Sequence, residues 1–202
     1  FGLGGVGGYA AEALARAGVG TIDIVDDDEL DVTNLNRQII ATTETVGRLK
    51  TEVMAERLRT VAPGITVNEY KMFFLPENSD VFDFSRYDYI IDAVDTVTAK
   101  IELVVKAKAE DARIISCMGT GNKMDPSKLR VADISKTNTC RLAKVMRHEL
   151  RERGINHLKV VFSDEKPIKH DPPGSISFVP SSAGLMMAGE VVRDIIEWQS
   201  EE

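Results

Sequence analysis

Three glycines near the start of the chain have the spacing of a phosphate cradle. Gly2, Gly4 and Gly7, within Gly2-Leu-Gly-Gly-Val-Gly-Gly8, satisfy G-x-G-x-x-G. Glycines let a backbone approach a phosphate closely, and a helix N-terminus beyond them offers unpaired N–H donors at the positive end of its dipole. The pattern alone is weak. Asp26 strengthens it, standing at the end of the next strand-like run, near the spacing where a carboxylate grips a ribose hydroxyl. The plain alternative is a structural turn followed by a solvated acidic loop, Asp26-Asp-Asp-Glu29. The agreement of loop, helix, strand and acid argues against it. A dinucleotide dehydrogenase shares these features, so the discriminating residues come next. Arg37, in Asn34-Leu-Asn-Arg-Gln38, and Lys50, in Gly47-Arg-Leu-Lys50, bring a planar fork and a mobile point charge to one segment. A triphosphate uses both, and a nicotinamide needs neither. Asp95 ends a third strand-like run, where open α/β sheets place ligands, and a carboxylate there suits Mg²⁺ shared with phosphates.

These residues need a scaffold of alternating strands and helices. An Ala-rich helix is predicted over 9–17, ended by Gly18, and a buried strand over 21–25. Helical spacing of Val46, Leu49, Val53, Met54, Leu58 and Val61 predicts a helix over 46–61, stopped by Pro63-Gly64. Strands are expected over 65–70, 87–94, 113–118, 129–134, 158–162 and 175–179. Helices are expected over 98–109 and 139–153, and a last one, capped by Ser181 or Ser182, runs to about Trp198. The alternation defines an α/β fold: a Rossmann-like, mostly parallel sheet with a glycine-rich nucleotide loop, plus a C-terminal mixed extension. A glycine loop of this kind follows a strand, so an N-terminal segment before Phe1 is expected. An abrupt change of polarity marks a second candidate join at His170-Asp171-Pro172-Pro173.

The chain has 202 residues, 43% of them hydrophobic, which suits one domain spanning 1–202. Its formal charge of -7 excludes a generally basic nucleic-acid binder but not a local basic patch. Cys117 and Cys140 form no CxxC pair, so neither a zinc ribbon nor a disulfide framework is implied. Reduced thiols fit a cytoplasmic setting, and no apolar run is long enough to span a membrane.

With these residues in place, the chain resembles the HesA/MoeB/ThiF superfamily of adenylating enzymes, relatives of the ubiquitin-activating enzymes. The resemblance rests on Gly-x-Gly-Gly-x-Gly, Asp26, Asn-Leu-x-Arg-Gln, Lys50 and the Asp-x-x-Asp of Asp92 to Asp95. It implies binding of MgATP and attack by a carboxylate on the α-phosphate. It implies Gly5 at the phosphates, Asp26 at the ribose, Asn34, Arg37 and Lys50 at the phosphates, and Asp95 at the metal. The site set is therefore Gly2, Gly4, Gly5, Gly7, Asp26, Asn34, Arg37, Lys50 and Asp95. Arg37, Lys50 and Asp95 are taken as catalytic.

The second half narrows the resemblance. The stretches from Met118 to Pro126, Val131 to Thr137, Cys140 to Arg147 and Gly174 to Pro180 are similar to the tRNA threonylcarbamoyladenosine dehydratases, although Arg141 stands where those carry proline. That family implies adenylation of the threonyl carboxylate of the modified base and closure of the carbamoyl group onto it. No enzyme thiol is required, and both cysteines are read as structural. The alternative is an adenylyltransferase acting on the C-terminus of a ubiquitin-like sulfur carrier. Missing CxxC pairs argue against it, and sulfur-transfer proteins are kept as a further partner class. Arg141, Lys144, His148 and Arg151 fall on one face of the 139–153 helix, beside a stripe of Leu142, Val145, Met146 and Leu150. Taken alone, such a helix is more simply a solvated surface. With the resemblance, Arg141, Lys144, Arg147 and Arg151 are read as tRNA-binding. His148 and His170 stand at no metal-ligand spacing and receive no chemistry. Ala183, Gly184, Ala188 and Gly189 permit close helix packing, within the chain or across a homodimer, which the superfamily implies.

Overall fold

The computed structural model describes residues 1–170 and 174–197. Among these residues five α-helices and six β-strands follow in the order α1 (Gly7–Arg16), β1 (Thr21–Val25), α2 (Lys50–Val61), β2 (Thr66–Tyr70), β3 (Ile90–Asp92), α3 (Val97–Ala109), β4 (Ile114–Cys117), β5 (Leu129–Asp133), α4 (Arg141–Glu152), β6 (Lys159–Ser163) and α5 (Phe178–Ile195). Strands β1 and β2 pair in parallel, as do β3 with β4 and β4 with β6, while β5 runs antiparallel to β6. The backbone of Phe1 and Gly2 stitches the two ladders together. Gly2 N–H donates to Val25 O at 2.8 Å, Phe1 N to Ile91 O at 2.9 Å, and Ala93 N–H to Phe1 O at 2.9 Å. The glycine loop thus leaves an extended backbone lying between β1 and β3.

Side chains alternate across this sheet, as the two-residue strand period requires. Val25, Ile114, Val160 and Phe162 pack with α3 and α4. Ile115, Cys117 and Val161 pack with α5 on the opposite face, and Ile24 packs there with α1 and α2. Strands buried on both faces are typical of parallel sheets covered by helices. Among the described residues, no helix is long and apolar enough to cross a membrane.

Several expectations shift. The helix predicted from Val46 begins at Lys50, because Gly47 and Arg48 pair with the backbone of Leu30 (2.7 and 2.8 Å) and leave Val46 exposed. The 87–94 strand shrinks to Ile90–Asp92, entered from a 3-10 turn at Phe84–Arg86 and left where Asp92 accepts the N–H of Val94. The 175–179 strand is absent; helix α5 starts at Phe178. The alternation of Ser175-Ile-Ser-Phe-Val179 imitates a strand, but Pro180 sits in the first helical turn, where its missing N–H costs nothing. Ser181 and Ser182 do not cap. They lie inside α5 and donate back to the carbonyls of Ser177 and Phe178 (2.6 and 2.7 Å). Gly184 belongs to packing within the chain: a Cβ there would fall 2.2 Å from Val6 O of the loop into α1. Ala183 and Ala188 are buried beside it, so this face is spent inside the fold. Trp198, and Asp171, Pro172 and Pro173 of the candidate join, lie outside the described residues.

Candidate active site

A cleft of about 750 Å³ opens at the carboxyl ends of β1, β3 and β4. Eight of the nine nucleotide residues expected from sequence line it: Gly2, Gly4, Gly5, Asp26, Asn34, Arg37, Lys50 and Asp95. Gly7 does not. A Cβ at Gly7 would fall 1.8 Å from Gly2 O, so this glycine lets the first turn of α1 pack on the loop's own backbone.

Asp26 follows β1 and is mostly buried. One carboxylate oxygen accepts the N–H of Leu3 at 2.6 Å and the other that of Asp28 at 3.0 Å. Burial holds its pKa above the ordinary carboxyl value, opposed by the Lys50 ammonium and these two N–H groups. Lys50 is the first residue of α2, where the positive end of the helix dipole disfavours a cation. Two carboxylates offset this: its Nζ lies 2.6 Å from Asp28 and 3.8 Å from Asp26, with the lysine itself buried. A buried ammonium facing the glycine loop at a helix N-terminus suits an arriving anion.

Asn34 and Arg37 come from the loop between β1 and α2. Asn34 closes a capping box: its Oδ1 accepts Asp31 N–H at 3.0 Å, while Asp31 Oδ1 accepts Thr33 N–H at 2.8 Å. Arg37 Nη1 donates to Thr33 O at 2.8 Å and Asn36 Oδ1 at 3.0 Å, which orients the guanidinium and leaves the other arm of its fork. Asp95 is exposed at the end of the β3 turn, its Oδ1 accepting a long 3.4 Å bond from Thr96. That turn is held from below. Lys100 and Asp92 form a fully buried ion pair at 2.9 Å. Lys100 also donates to Val94 O at 2.9 Å, and Ser116 Oγ donates to Asp92.

Sequence reasoning gave no role to Lys100, nor to Gln38, whose Oε1 is buried without a partner while its amide nitrogen lies 3.9 Å from where a Cβ on Gly4 would sit. Gln38 stands inside the quoted Asn-Leu-x-Arg-Gln motif, so a signal existed. Lys100 carried none beyond a cation in a helix with apolar neighbours. Cys117, Met118, Gly119 and Leu142 form another part of the lining, and Gly174 and Ser175 a further one.

The thiols are buried. Burial pushes the Cys117 thiol up to about 12, so it is not a nucleophile at neutral pH. Cys140 is the N-cap residue of α4 and 7% exposed. On α4, Arg141, Lys144, His148 and Arg151 are exposed. Two expectations there are corrected. Val145 is 44% exposed and leaves the buried stripe to Ala143, Met146 and Leu150. Arg147 is half-buried, its Nη1 donating to Thr137 O at 2.7 Å and to the Thr137 hydroxyl, so it tethers α4 to the preceding turn and is spent within the fold.

Taken together, the parallel sheet covered by helices, the glycine loop at its centre and a cleft lined by Arg37, Lys50 and several aspartates define an α/β protein of the nucleotide-binding class. The chain belongs to the ThiF family, whose model matches residues 1–202. It is 44% identical over 217 aligned residues to the tRNA threonylcarbamoyladenosine dehydratase of Bacillus subtilis, an alignment covering 98% of this chain and 85% of that protein. Its fold matches the E. coli tRNA N6-threonylcarbamoyladenosine dehydratase TcdA in complex with ATP. The TM-score is 0.92 at 34% identity, covering 97% of this chain and 84% of that one. The adenylyltransferase and sulfurtransferase uba4 of Ogataea parapolymorpha is 35% identical over 69% of this chain, but over only 35% of its own length.

Proposed function

We propose that this chain is an ATP-dependent dehydratase that adenylates the threonyl carboxylate of threonylcarbamoyladenosine in tRNA and cyclises it. The observation that carries the reading is one cleft uniting the glycine loop, Arg37 from the stretch between β1 and α2, Lys50 from the first residue of α2, and Asp95 in the turn after β3. The 44% relationship to the B. subtilis dehydratase supports the substrate. In the first step a carboxylate oxygen attacks the α-phosphorus of ATP, and the bond to pyrophosphate breaks. In the second the carbamoyl group attacks the acyl carbon, and AMP leaves with the former carboxylate oxygen. The nucleophile of the second step is already attached to the substrate, so proximity replaces an enzyme thiol. Asp26 holds the ribose, and Arg37 and Lys50 offset charge on the phosphates as it redistributes toward pyrophosphate. Asp95, exposed on the cleft and free of a strong partner, has the donor chemistry for Mg²⁺, which supplies charge neutralisation at the phosphates when bound.

Incubation of the protein with ATP and modified tRNA, followed by nucleoside mass spectrometry, is expected to show loss of one water at threonylcarbamoyladenosine together with AMP. ATP is expected to bind more tightly than NAD in a calorimetric titration; the reverse order would remove the site reading. A Cys117→Ser, Cys140→Ser variant is expected to keep making cyclic product. Normal adenylation with no product in that variant would favour activation of a sulfur-carrier protein through a thiol.

The tRNA reading extends to Arg141, Lys144 and Arg151, exposed on a helix whose Leu142 lines the cleft. A protein of net charge -7 must bind RNA through a local field. Lys144→Glu with Arg151→Glu is expected to weaken tRNA binding and flatten its salt dependence, by a log–log slope of about 0.7 to 0.9 per lost phosphate contact. Affinity for ATP should change little. An anisotropy salt titration checks this, and an unchanged slope in a folded variant would mean that α4 is only a solvated surface. In the same reading a single domain rests on the chain length and a cytoplasmic setting on the free thiols, while a homodimer and sulfur-transfer partners rest on the superfamily resemblance rather than on the small residues of α5.

A further inference from the structure

Gly174 and Ser175, in the segment 174–177 that enters α5, form one wall of the cleft, and two asparagines hold them. Asn122 sits in the left-handed region at φ 58°. Its N–H donates to Gly174 O at 2.8 Å and its carbonyl accepts Ile168 N–H at 2.7 Å. Its Oδ1 accepts Gly174 N–H at 2.6 Å, and its Nδ2 donates to His170 O at 3.0 Å. All four polar groups of one residue are therefore committed to the backbones of Ile168, His170 and Gly174. On the other side, Asn36 Nδ2 donates to Ser175 O at 2.9 Å while its Oδ1 accepts Arg37 Nη1 at 3.0 Å. Gly174, Ser175 and Arg37 line the same cleft, and Pro180 lies 3.3 Å from where a Cβ on Gly5 would stand. An asparagine amide donates and accepts at once, so a single side chain can join a guanidinium to a backbone carbonyl.

We propose that Asn36 and Asn122 are positioning residues that hold segment 174–177 in place, with Gly174 and Ser175 as a wall of the nucleotide cleft, and that Asn36 couples this wall to Arg37. The proposal deepens the reading of the cleft as an ATP site and rests on it for the coupling alone. Asn122 determines where the wall begins. Asn36 makes the orientation of the Arg37 guanidinium and the position of the wall one arrangement, so the phosphate-facing cation and the surface opposite the glycine loop are set together. Neither asparagine needs to touch a reacting atom.

The test uses the full chain as wild type, Asn36→Ala, Asn122→Gly and Arg37→Ala. Glycine at 122 tolerates the positive φ, so that variant removes only the side-chain bonds. Backbone amide hydrogen exchange is followed by peptide, and ATP affinity by calorimetry. Both asparagine variants are expected to speed exchange at 174–177 by roughly tenfold or more, the scale of one or two lost hydrogen bonds. Exchange in β4 and β6 should stay unchanged. Asn36→Ala is further expected to weaken ATP binding roughly tenfold, and Asn122→Gly distinctly less, since only Asn36 contacts Arg37. Unchanged exchange at 174–177 in both folded variants overturns the clamp, as does faster exchange throughout the chain, which marks general destabilisation. A loosened wall with unaltered ATP affinity in Asn36→Ala overturns the coupling, provided Arg37→Ala does weaken ATP. If Arg37→Ala leaves ATP affinity intact, the site reading itself fails, while the exchange result still decides the clamp.

Discussion

Lys50→Ala is expected to lose about two to three orders of magnitude in turnover, with the fold retained. The cost follows from removing one preorganised charge beside developing negative charge, about 2.7–4 kcal/mol. Lys50 is well suited to that role. Its ammonium is buried, already desolvated and held by Asp28 at 2.6 Å, so little reorganisation accompanies the reaction. Stability should fall moderately, because the mostly buried Asp26 loses the ammonium 3.8 Å away but keeps two N–H partners, and Asp28 is exposed to water. A second consequence concerns Asp26. Burial already holds its carboxyl above the ordinary value and the Lys50 ammonium opposes this, so the variant should push the pKa of Asp26 further up. Ribose binding by the ionised carboxylate would then fail at a higher pH than in the wild type as pH is lowered. Asp95→Ala should also slow turnover strongly, but with a raised Mg²⁺ requirement and no such change in the acid limb. Single-turnover adenylation across pH and Mg²⁺ concentration measures both. Full activity in a folded Lys50→Ala protein would remove the site assignment.

The second large effect is on stability. Lys100→Met leaves Asp92 fully buried without its counter-ion. Breaking a buried pair on one side costs about 3–5 kcal/mol, much of it the penalty of the stranded charge. For a chain of this size that corresponds to a melting temperature lower by about 6–20 °C. The variant also frees Val94 O, the residue before Asp95, so Mg²⁺ dependence should shift in whatever protein remains folded. Adding Asp92→Asn to Lys100→Met should recover part of the loss, because the amide oxygen can still accept Val94 N–H and the amide NH2 can donate to Ser116 Oγ, with no stranded charge. Thermal melts followed by circular dichroism separate the cases. Equal melting temperatures for the single and double variants would show that the pair contributes through packing rather than charge.

Most of what the cleft needs was legible in sequence because it follows from local rules. G-x-G-x-x-G before an Ala-rich helix reports a turn and a helix start. The run Thr21–Val25 reports a strand, of which Ile24 and Val25 are buried, with Asp26 directly after it and Asp95 in the turn after β3. Periodicity located α3, α4 and β4 to within two residues, since each buries a regular stripe. It failed where tertiary bonds overrode it. Val46 lost its helix to the pairing of Gly47 and Arg48 with Leu30, and Ser175–Val179 lost its strand to the first turn of α5. Tertiary structure alone decided which cations are free. Arg147 and Lys144 look alike on a helical wheel, yet Arg147 is spent on Thr137 while Lys144 faces solvent. It alone buried Lys100 against Asp92, moved Gly7 from the cleft lining to the packing beneath it, and brought Asn36 and Asn122 to the same short segment. Residue type and spacing carry local backbone geometry and the burial period of a single element. Asn36 and Ser175, 139 residues apart, and Asn122 and Gly174, 52 apart, meet only when the sheet order and helix packing are set, and even the Lys100–Asp92 pair, 8 apart, is buried only by the packing of α3 on the sheet; no local pattern encodes that.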